Sequence, residues 1–148
     1  MLTYNVELTL DDNGALLVTC PDLPEVATFG DDEQDALGYA VGAIEEVLAA
    51  RMAYKKDIPL PTPLSKPVET GKLHPVRLST QTGFKVLLYR AMRRKNVTKA
   101  ELARRMGIAR QSADRLLDLN HASRLDALDS AFLALGQEVA VELRERAA

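Results

Sequence analysis

The chain has 148 residues, 47% of them hydrophobic and 27% charged, with a formal net charge of −2; this is the composition of a globular protein with room for one ordinary domain or two small ones. It has no run of 18 apolar residues and no basic-then-apolar start, so neither a membrane span nor a secretory signal is expected and the chain reads as cytoplasmic. The single cysteine, Cys20, excludes an intramolecular disulfide and a Cys-rich zinc site, and with no His nearby to activate it the thiol reads as a packed side chain.

The charge is unevenly divided. Residues 1–80 carry 6 Lys/Arg against 13 Asp/Glu, a net −7, whereas residues 81–148 carry 13 against 8, a net +5. An acidic front joined to a basic rear predicts two domains, 1–80 and 81–148, with different partners.

Tyr4, Val6, Leu8 and Leu10 alternate with polar residues, which predicts a strand with one buried face. Asn13-Gly14 follows as a hairpin signal, since both residues tolerate positive φ, and Ala15–Cys20 is the returning strand. Pro21 and Pro24 interrupt the chain before a short third strand at Glu25–Phe29. A helix is predicted over Glu33–Tyr54, with Leu37, Ala40, Val41, Ile44, Val47 and Leu48 as its apolar stripe and Glu45, Glu46 and Arg51 outside it. Gly38 and Gly42, four apart, are read as close packing of that helix on the sheet. Asp57–Pro63 is an extended proline-rich connection, and Leu73–Ser79 a fourth strand. Three strands, a helix and a strand make one α+β layer.

From Thr82 the period becomes helical. Phe84, Leu87, Leu88, Ala91 and Met92 form a stripe, with Lys85, Arg90, Arg93 and Arg94 predicted to face away. Asn96 ends that helix. Thr98 and Glu101 have the spacing of a capping box, Gly107 suits a tight turn with positive φ, and a third helix follows over Ala109–Leu117. Ala103 is small where two helices would cross, and Ile108, Ala113 and Leu116 are predicted to face the core. The order Leu102-Ala103, Met106-Gly107-Ile108, Ala113, Leu116 resembles the helix-turn-helix of the Cro/repressor-like family over about residues 82–136. A last helix, Arg124–Leu135, carries Leu125, Leu128, Phe132 and Leu135 on one face. Val139, Val141 and Leu143 then alternate as a terminal strand, packed on its own domain or pairing across a dimer.

In such a motif the second helix enters the major groove. Arg110, Gln111, Ser112, Asp114 and Arg115 are the candidate base-reading residues, since Arg suits guanine O6 and N7 and Gln suits adenine N6 and N7. Lys99, Arg104, Asn120 and Arg124 are the candidates for phosphate contact. Ala109 offers no side-chain cap to the third helix and is not expected to touch DNA. Asp11 and Asp12 lie in a hairpin loop with no further acid spaced to converge on them, His74 and His121 stand alone, and no metal site, cofactor or catalytic set is predicted.

The whole pattern resembles the HicB antitoxin family. The likeness rests on Tyr4-Asn5-Val6-Glu7, on Leu17-Val18-Thr19-Cys20-Pro21-Asp22-Leu23-Pro24, on Ala27-Thr28-Phe29-Gly30, and on Glu33-Gln34-Asp35-Ala36-Leu37. The resemblance implies a front domain like a partial ribonuclease H fold without catalytic acids, and a rear helix-turn-helix that binds operator DNA as a dimer on an inverted repeat. It also implies a partner, a small HicA-like ribonuclease toxin that cleaves messenger RNA. Asp22, Glu25, Asp31, Asp32 and Asp35 are the candidate toxin-binding residues. The competing function is a transcription regulator whose acidic front domain senses a small ligand.

Overall fold

Tyr4 and Val6 are fully buried while Thr3, Asn5 and Glu7 between them are half-buried, the period-two pattern of a strand with one face in a core. They belong to β1 (Thr3–Leu10), followed by β2 (Leu16–Cys20), β3 (Leu23–Gly30), α1 (Glu33–Ala53), β4 (Leu73–Arg77), α2 (Thr80–Arg94), α3 (Lys99–Met106), α4 (Arg110–Leu116) and α5 (Leu125–Ala134). These are the elements among residues 2–63 and 73–146, which a computed structural model describes. The chain divides into two compact units, Met1–Leu87 and Leu88–Ala148, and the division falls inside α2.

In the first unit the strands form one antiparallel sheet in the order β3-β2-β1-β4. Tyr4 lies opposite Val76, and Leu8 opposite Val18. Pro75 is tolerated because β4 is an edge strand. The hairpin between β1 and β2 departs from the expected form. Positive φ falls on Gly14 and not on Asn13; Gly14 N–H donates to the Asp11 carbonyl at 3.2 Å, and Asp11 N–H to the Ala15 carbonyl at 2.8 Å. This is a three-residue loop closed by a glycine bulge. Asp11 Oδ1 accepts from the N–H groups of Asn13 and Ala15 at 2.8 and 2.9 Å, which gives that carboxylate a local, turn-holding role. Leu10, expected on the buried face, is 69% exposed at the end of β1, beside the hairpin loop.

That helix is α1. Asp32 caps it by accepting from Asp35 N–H at 2.8 Å, and Ala36, Ala40, Ile44 and Leu48 form its fully buried seam, one residue every four. Opposite them on the sheet stand Tyr4, Val6, Val18, Cys20, Val26 and Val76, all buried. The contact is closest at Gly30, where a Cβ would fall 2.2 Å from the backbone nitrogen of Ala36. Gly38 and Gly42 do not serve this packing. Both are exposed, a Cβ at either would meet nothing within 4 Å, and the expectation of close helix–sheet packing at this pair is not met. They stand about 200° around the helix from Ala36 and Ala40, on the outward side.

The proline-rich segment after α1 is a strap. Ile58 is 1% exposed, Tyr4 Oη donates to the Pro59 carbonyl at 2.7 Å, and Arg51 Nη1 donates to the Asp57 carbonyl at 2.9 Å. Backbone carbonyls that proline leaves without a ladder are thereby bonded from the side.

Helix α2 starts on Ser79, whose hydroxyl accepts from Thr82 N–H at 3.1 Å, while Thr82 Oγ1 donates to Glu45 on α1 at the same distance. Its burial differs from the single stripe expected. Lys85 is fully buried, not facing away, and Leu87 is 38% exposed, not in the core; Val86, Leu88, Tyr89, Ala91 and Met92 are buried. Burial around most of the helix defeats a reading that assigns each residue by polarity alone. Asn96 ends the run with φ 54°, the left-handed region in which Asn is tolerated.

In the second unit Leu102, Ala103, Ala113, Leu116, Leu128, Ala131, Phe132 and Leu135 form the core, and α3 packs on α4 and α5. Ile108 is half-buried. Leu125 is 63% exposed, so the apolar face of α5 is Leu128, Ala131, Phe132 and Leu135, starting one turn later than expected. The terminal strand expected over Gln137–Leu143 has formed on nothing: residues 137–146 adopt no regular structure, and Val141 and Leu143 are 80% and 94% exposed.

Two glycine substitutions separate these packing roles. Gly30→Ala should lose about 1–3 kcal/mol of stability, because backbone must shift to admit the methyl. Gly38→Ala should gain about 0.5–1 kcal/mol, since it removes a helix-interior glycine without meeting a neighbour. Urea denaturation of the two variants checks both signs.

Candidate protein-binding and nucleic-acid interfaces

The five acids proposed from the sequence to meet a partner fall into two groups at opposite ends of α1. Asp22 and Glu25 lie beside the strap. Asp22 accepts from Thr62 N–H at 2.8 Å and from Thr62 Oγ1 at 2.6 Å. Glu25 on β3 receives a two-pronged bond from Arg51 on the last turn of α1, at 2.6 and 2.7 Å. That guanidinium holds the Glu25 carboxyl down at about 2, and the carboxylate in turn raises the Arg51 pKa. Asp22 therefore ties the strap to the turn between β2 and β3, and Glu25 ties β3 to the end of α1.

The other group surrounds the start of α1. Asp35 Oδ2 accepts from Asp31 N–H at 2.9 Å, and Asp32 Oδ1 accepts from Asp35 N–H at 2.8 Å. Acids here favour the positive end of the helix dipole. Asp32, Gln34, Asp35, Gly38 and Tyr39 line an open concavity of about 490 Å³. Tyr39 is 58% exposed, and Phe29, paired with Leu17 on the sheet face turned away from α1, is 52% exposed. Sequence reasoning missed Gly38, Tyr39 and Phe29. The available signal was the spacing: once Ala36, Ala40, Ile44 and Leu48 are taken as the seam, positions 38 and 42 must point outward, where glycine has no packing purpose within the chain.

In the second unit Thr98 accepts from Glu101 N–H at 3.1 Å and caps α3, and Gly107, at φ 66° and ψ 34°, ends it. The reciprocal half of the expected capping box is replaced by cation binding. The Glu101 carboxylate accepts from Arg104 at 2.6 and 2.8 Å and from Arg105 at 3.0 Å, and these bonds push its carboxyl down to about 2. The turn Gly107-Ile108-Ala109 leads into α4, whose N-cap Ala109 makes no side-chain bond.

Ala113 and Leu116 turn α4 inward, which leaves Arg110, Gln111 and Arg115 exposed and Ser112 and Asp114 half-buried. Asp114 Oδ1 stands 3.6 Å from both Lys99 Nζ and Arg110 Nε, so one carboxylate serves a candidate phosphate contact on α3 and a candidate base reader on α4. Arg124 lies at 3.0 Å from Asp126, and Asn120 is exposed in the loop before α5. Ser123 Oγ bonds the Arg115 carbonyl at 3.4 Å and tethers that loop to the end of α4. The fold thus brings Lys99, Arg110 and Asp114 together and leaves Arg104 and Arg124 with carboxylates of their own. Among the described residues no group of three or more His, Cys, Asp or Glu is placed to hold a metal, and no helix is long and apolar enough to cross a membrane.

The chain is thus an antiparallel sheet under one helix, followed by a small helical unit. Residues 3–86 match the family model for the HicB-like antitoxin of bacterial toxin–antitoxin systems. The chain is 35% identical over 143 residues to Antitoxin HicB of Escherichia coli (strain K12), covering 95% of this chain and 98% of that one. It is 32% identical over 139 residues to Antitoxin HicB of Pseudomonas fluorescens (strain Pf0-1), covering 94% and 92%. The crystal structure of the Burkholderia pseudomallei antitoxin HicB is similar over 72% of this chain and 96% of that one, with 18% identity and a TM-score of 0.46. The chain belongs to the HicB-like antitoxin family of bacterial toxin–antitoxin systems.

The Glu25–Arg51 pair makes stability pH-dependent in a stated direction. The folded carboxyl titrates at about 2 against an ordinary 4.5, so the unfolded chain takes up its proton first and the pair's contribution is lost as pH falls through that window. Glu25→Gln should be less stable than the native chain at pH 6, and the gap should shrink as pH drops from 4.5 to 2. Thermal melts of both proteins across that range check it.

Proposed function

We propose that this chain neutralises a small HicA-like ribonuclease toxin with its front unit and represses its own operon with its rear unit, as a cytoplasmic dimer on an inverted repeat. The observation that carries the reading is the match to full-length HicB antitoxins across 95% of the chain, which spans both units. The chain performs no catalysis of its own in this scheme.

A toxin that cleaves messenger RNA needs a cationic surface for phosphates, and an acidic surface of matching shape competes for it. Asp31, Asp32 and Asp35 suit that role best. Asp32 and Asp35 each use one oxygen on a backbone amide, which leaves the second for an incoming Lys or Arg. Tyr39, exposed beside them, supplies the apolar contact that a charged rim lacks. Asp22 and Glu25 act one step back, by holding the strap and β3 in place.

In the rear unit α4 enters the major groove. Arg110 and Arg115 take guanine edges, Gln111 an adenine, and Ser112 either. Asp114 orients Arg110 and accepts from a cytosine amine if one is presented. Lys99, Arg104, Asn120 and Arg124 meet the phosphates on either side. One α4 covers only a few base pairs, so a second copy is required for an operator-length site.

Tagged protein should capture the product of an adjacent small gene in stoichiometric amount and suppress its RNA cleavage. Absence of capture, or cleavage that continues unchanged, would remove the toxin partner. Arg110→Ala and Arg115→Ala should each lower operator affinity by about 1–3 kcal/mol at fixed salt, with non-operator DNA less affected. Unchanged operator affinity would show that α4 does not read bases through these residues.

A further inference from the structure

We propose that Asp114 is a specificity-determining residue of α4, whose carboxylate holds Arg110 and Lys99 off backbone phosphates while leaving Arg110 open to a guanine edge. The inference rests on the DNA reading proposed above and adds the means by which an operator is told from other DNA.

A single oxygen is shared between two cations. Asp114 Oδ1 stands 3.6 Å from Lys99 Nζ on α3 and 3.6 Å from Arg110 Nε on α4, so it spans the helices on either side of the Gly107 turn. Both contacts are longer than hydrogen bonds and are held by charge alone. Glu101 and Asp126 are engaged differently. Glu101 grips Arg104 at 2.6 and 2.8 Å, and Asp126 grips Arg124 at 3.0 and 3.1 Å, each through two oxygens and two nitrogens. Those two acids close the fork of the arginine they bind, and Asp114 does not.

Folding does not account for an acid at this place. The side chains of Asp114, Lys99 and Arg110 are 47%, 45% and 62% exposed, too wet for the pairs to add much stability. Attraction to DNA does not account for it either, because a carboxylate among the exposed cations of α4 repels every phosphate that comes near.

A repulsion that depends on what Arg110 binds does account for it. A guanidinium takes a phosphate or the O6 and N7 of guanine with two hydrogen bonds in either case. The phosphate brings a full negative charge up to Asp114, whereas the guanine edge brings two neutral acceptors. The carboxylate therefore penalises the first ligand and spares the second. Its contact is with Nε, so the two terminal nitrogens of Arg110 remain the prongs that a guanine edge needs. Lys99, held by the same oxygen, has its pull on a passing phosphate reduced in the same way. Glu101 and Asp126 act on candidate phosphate contacts only, and so lower affinity for all DNA alike.

Asp114→Asn keeps the shape and removes the charge. The native full-length chain is first used to select a binding sequence from a randomised duplex pool. The Kd of each protein is then measured for the selected duplex and for a scrambled one of equal length, over a range of salt. The variant should bind the scrambled duplex about threefold to tenfold more tightly, with a salt slope steeper by about one, and should gain little on the selected duplex. The ratio between the two affinities then falls. Asp126→Asn, which releases a phosphate contact only, should raise both affinities together and leave the ratio as it was. If Asp114 serves instead to hold α3 to α4, Asp114→Asn melts at a lower temperature and binds both duplexes more weakly. That result, or an unchanged ratio, would overturn the inference while the DNA reading stands. A native chain that selects no sequence over the starting pool would overturn both.

Discussion

The front unit depends on one close approach. A side chain at Gly30 would collide with the backbone of Ala36, so the sheet and the first turn of α1 are in contact without any intervening group. With the helix pinned there, every fourth residue after Ala36 falls onto the sheet, and Ala40, Ile44 and Leu48 are buried in turn. Small residues come first and larger ones later, as suits a helix that starts tight against a twisted sheet and diverges from it. The far end is then held by side chains that bridge elements: Arg51 clasps Glu25 and the Asp57 carbonyl, and Tyr4 and Asp22 bond the strap.

This fixing of α1 accounts for what its other side presents. A seam with a period of four leaves Gly38, Tyr39 and Gly42 facing outward, and the capping requirement puts Asp32 and Asp35 beside them. The outward face is therefore smooth, aromatic at one point and acidic at its end. At the other end of the helix the charge of Glu25 is answered by Arg51, and both oxygens of Asp22 are occupied by Thr62. A net charge of −7 over residues 1–80 overstates what a partner would meet, because it counts both groups alike.

Much of this was legible in the sequence. The alternation through Tyr4 and Val6, the break at Pro21, the cap at Thr98 and the left-handed turn at Gly107 each follow from a local rule and appear where that rule puts them, whereas Pro24, expected to break the chain as well, lies inside β3, an edge strand that starts at Leu23. The departures on the helices have a common cause. Lys85 and Leu87 were assigned by polarity on a helix buried around most of its girth, Leu125 by counting a stripe into the first helical turn, and Gly38 and Gly42 by supposing that glycine in a helix implies a close neighbour. In every case the deciding factor was which side of a helix another part of the chain covers, and a periodicity does not contain that. The candidate site suffered likewise. Five acids close in sequence became two groups, because β3 and α1 run in opposite directions and carry Asp22 and Glu25 away from Asp31, Asp32 and Asp35.

The rear unit shows how a basic surface need not be an open one. Glu101 binds Arg104 and Arg105, Asp114 stands between Lys99 and Arg110, and Asp126 binds Arg124. In the proposed complex a phosphate reaching Arg104 or Arg124 must replace a carboxylate already in place, which weakens the sequence-independent part of binding. Asp114 differs from the other two acids, since it stands between a candidate base reader and a candidate phosphate contact. In the proposed complex a guanine edge under Arg110 would keep that ion pair and add two hydrogen bonds, while a mismatched base would leave the pair as it was. Discrimination then comes from what the correct base adds, and the general attraction of a positive surface for any DNA is held low by the same carboxylates. For the proposed repressor role, the ratio between these two affinities would matter more than either alone.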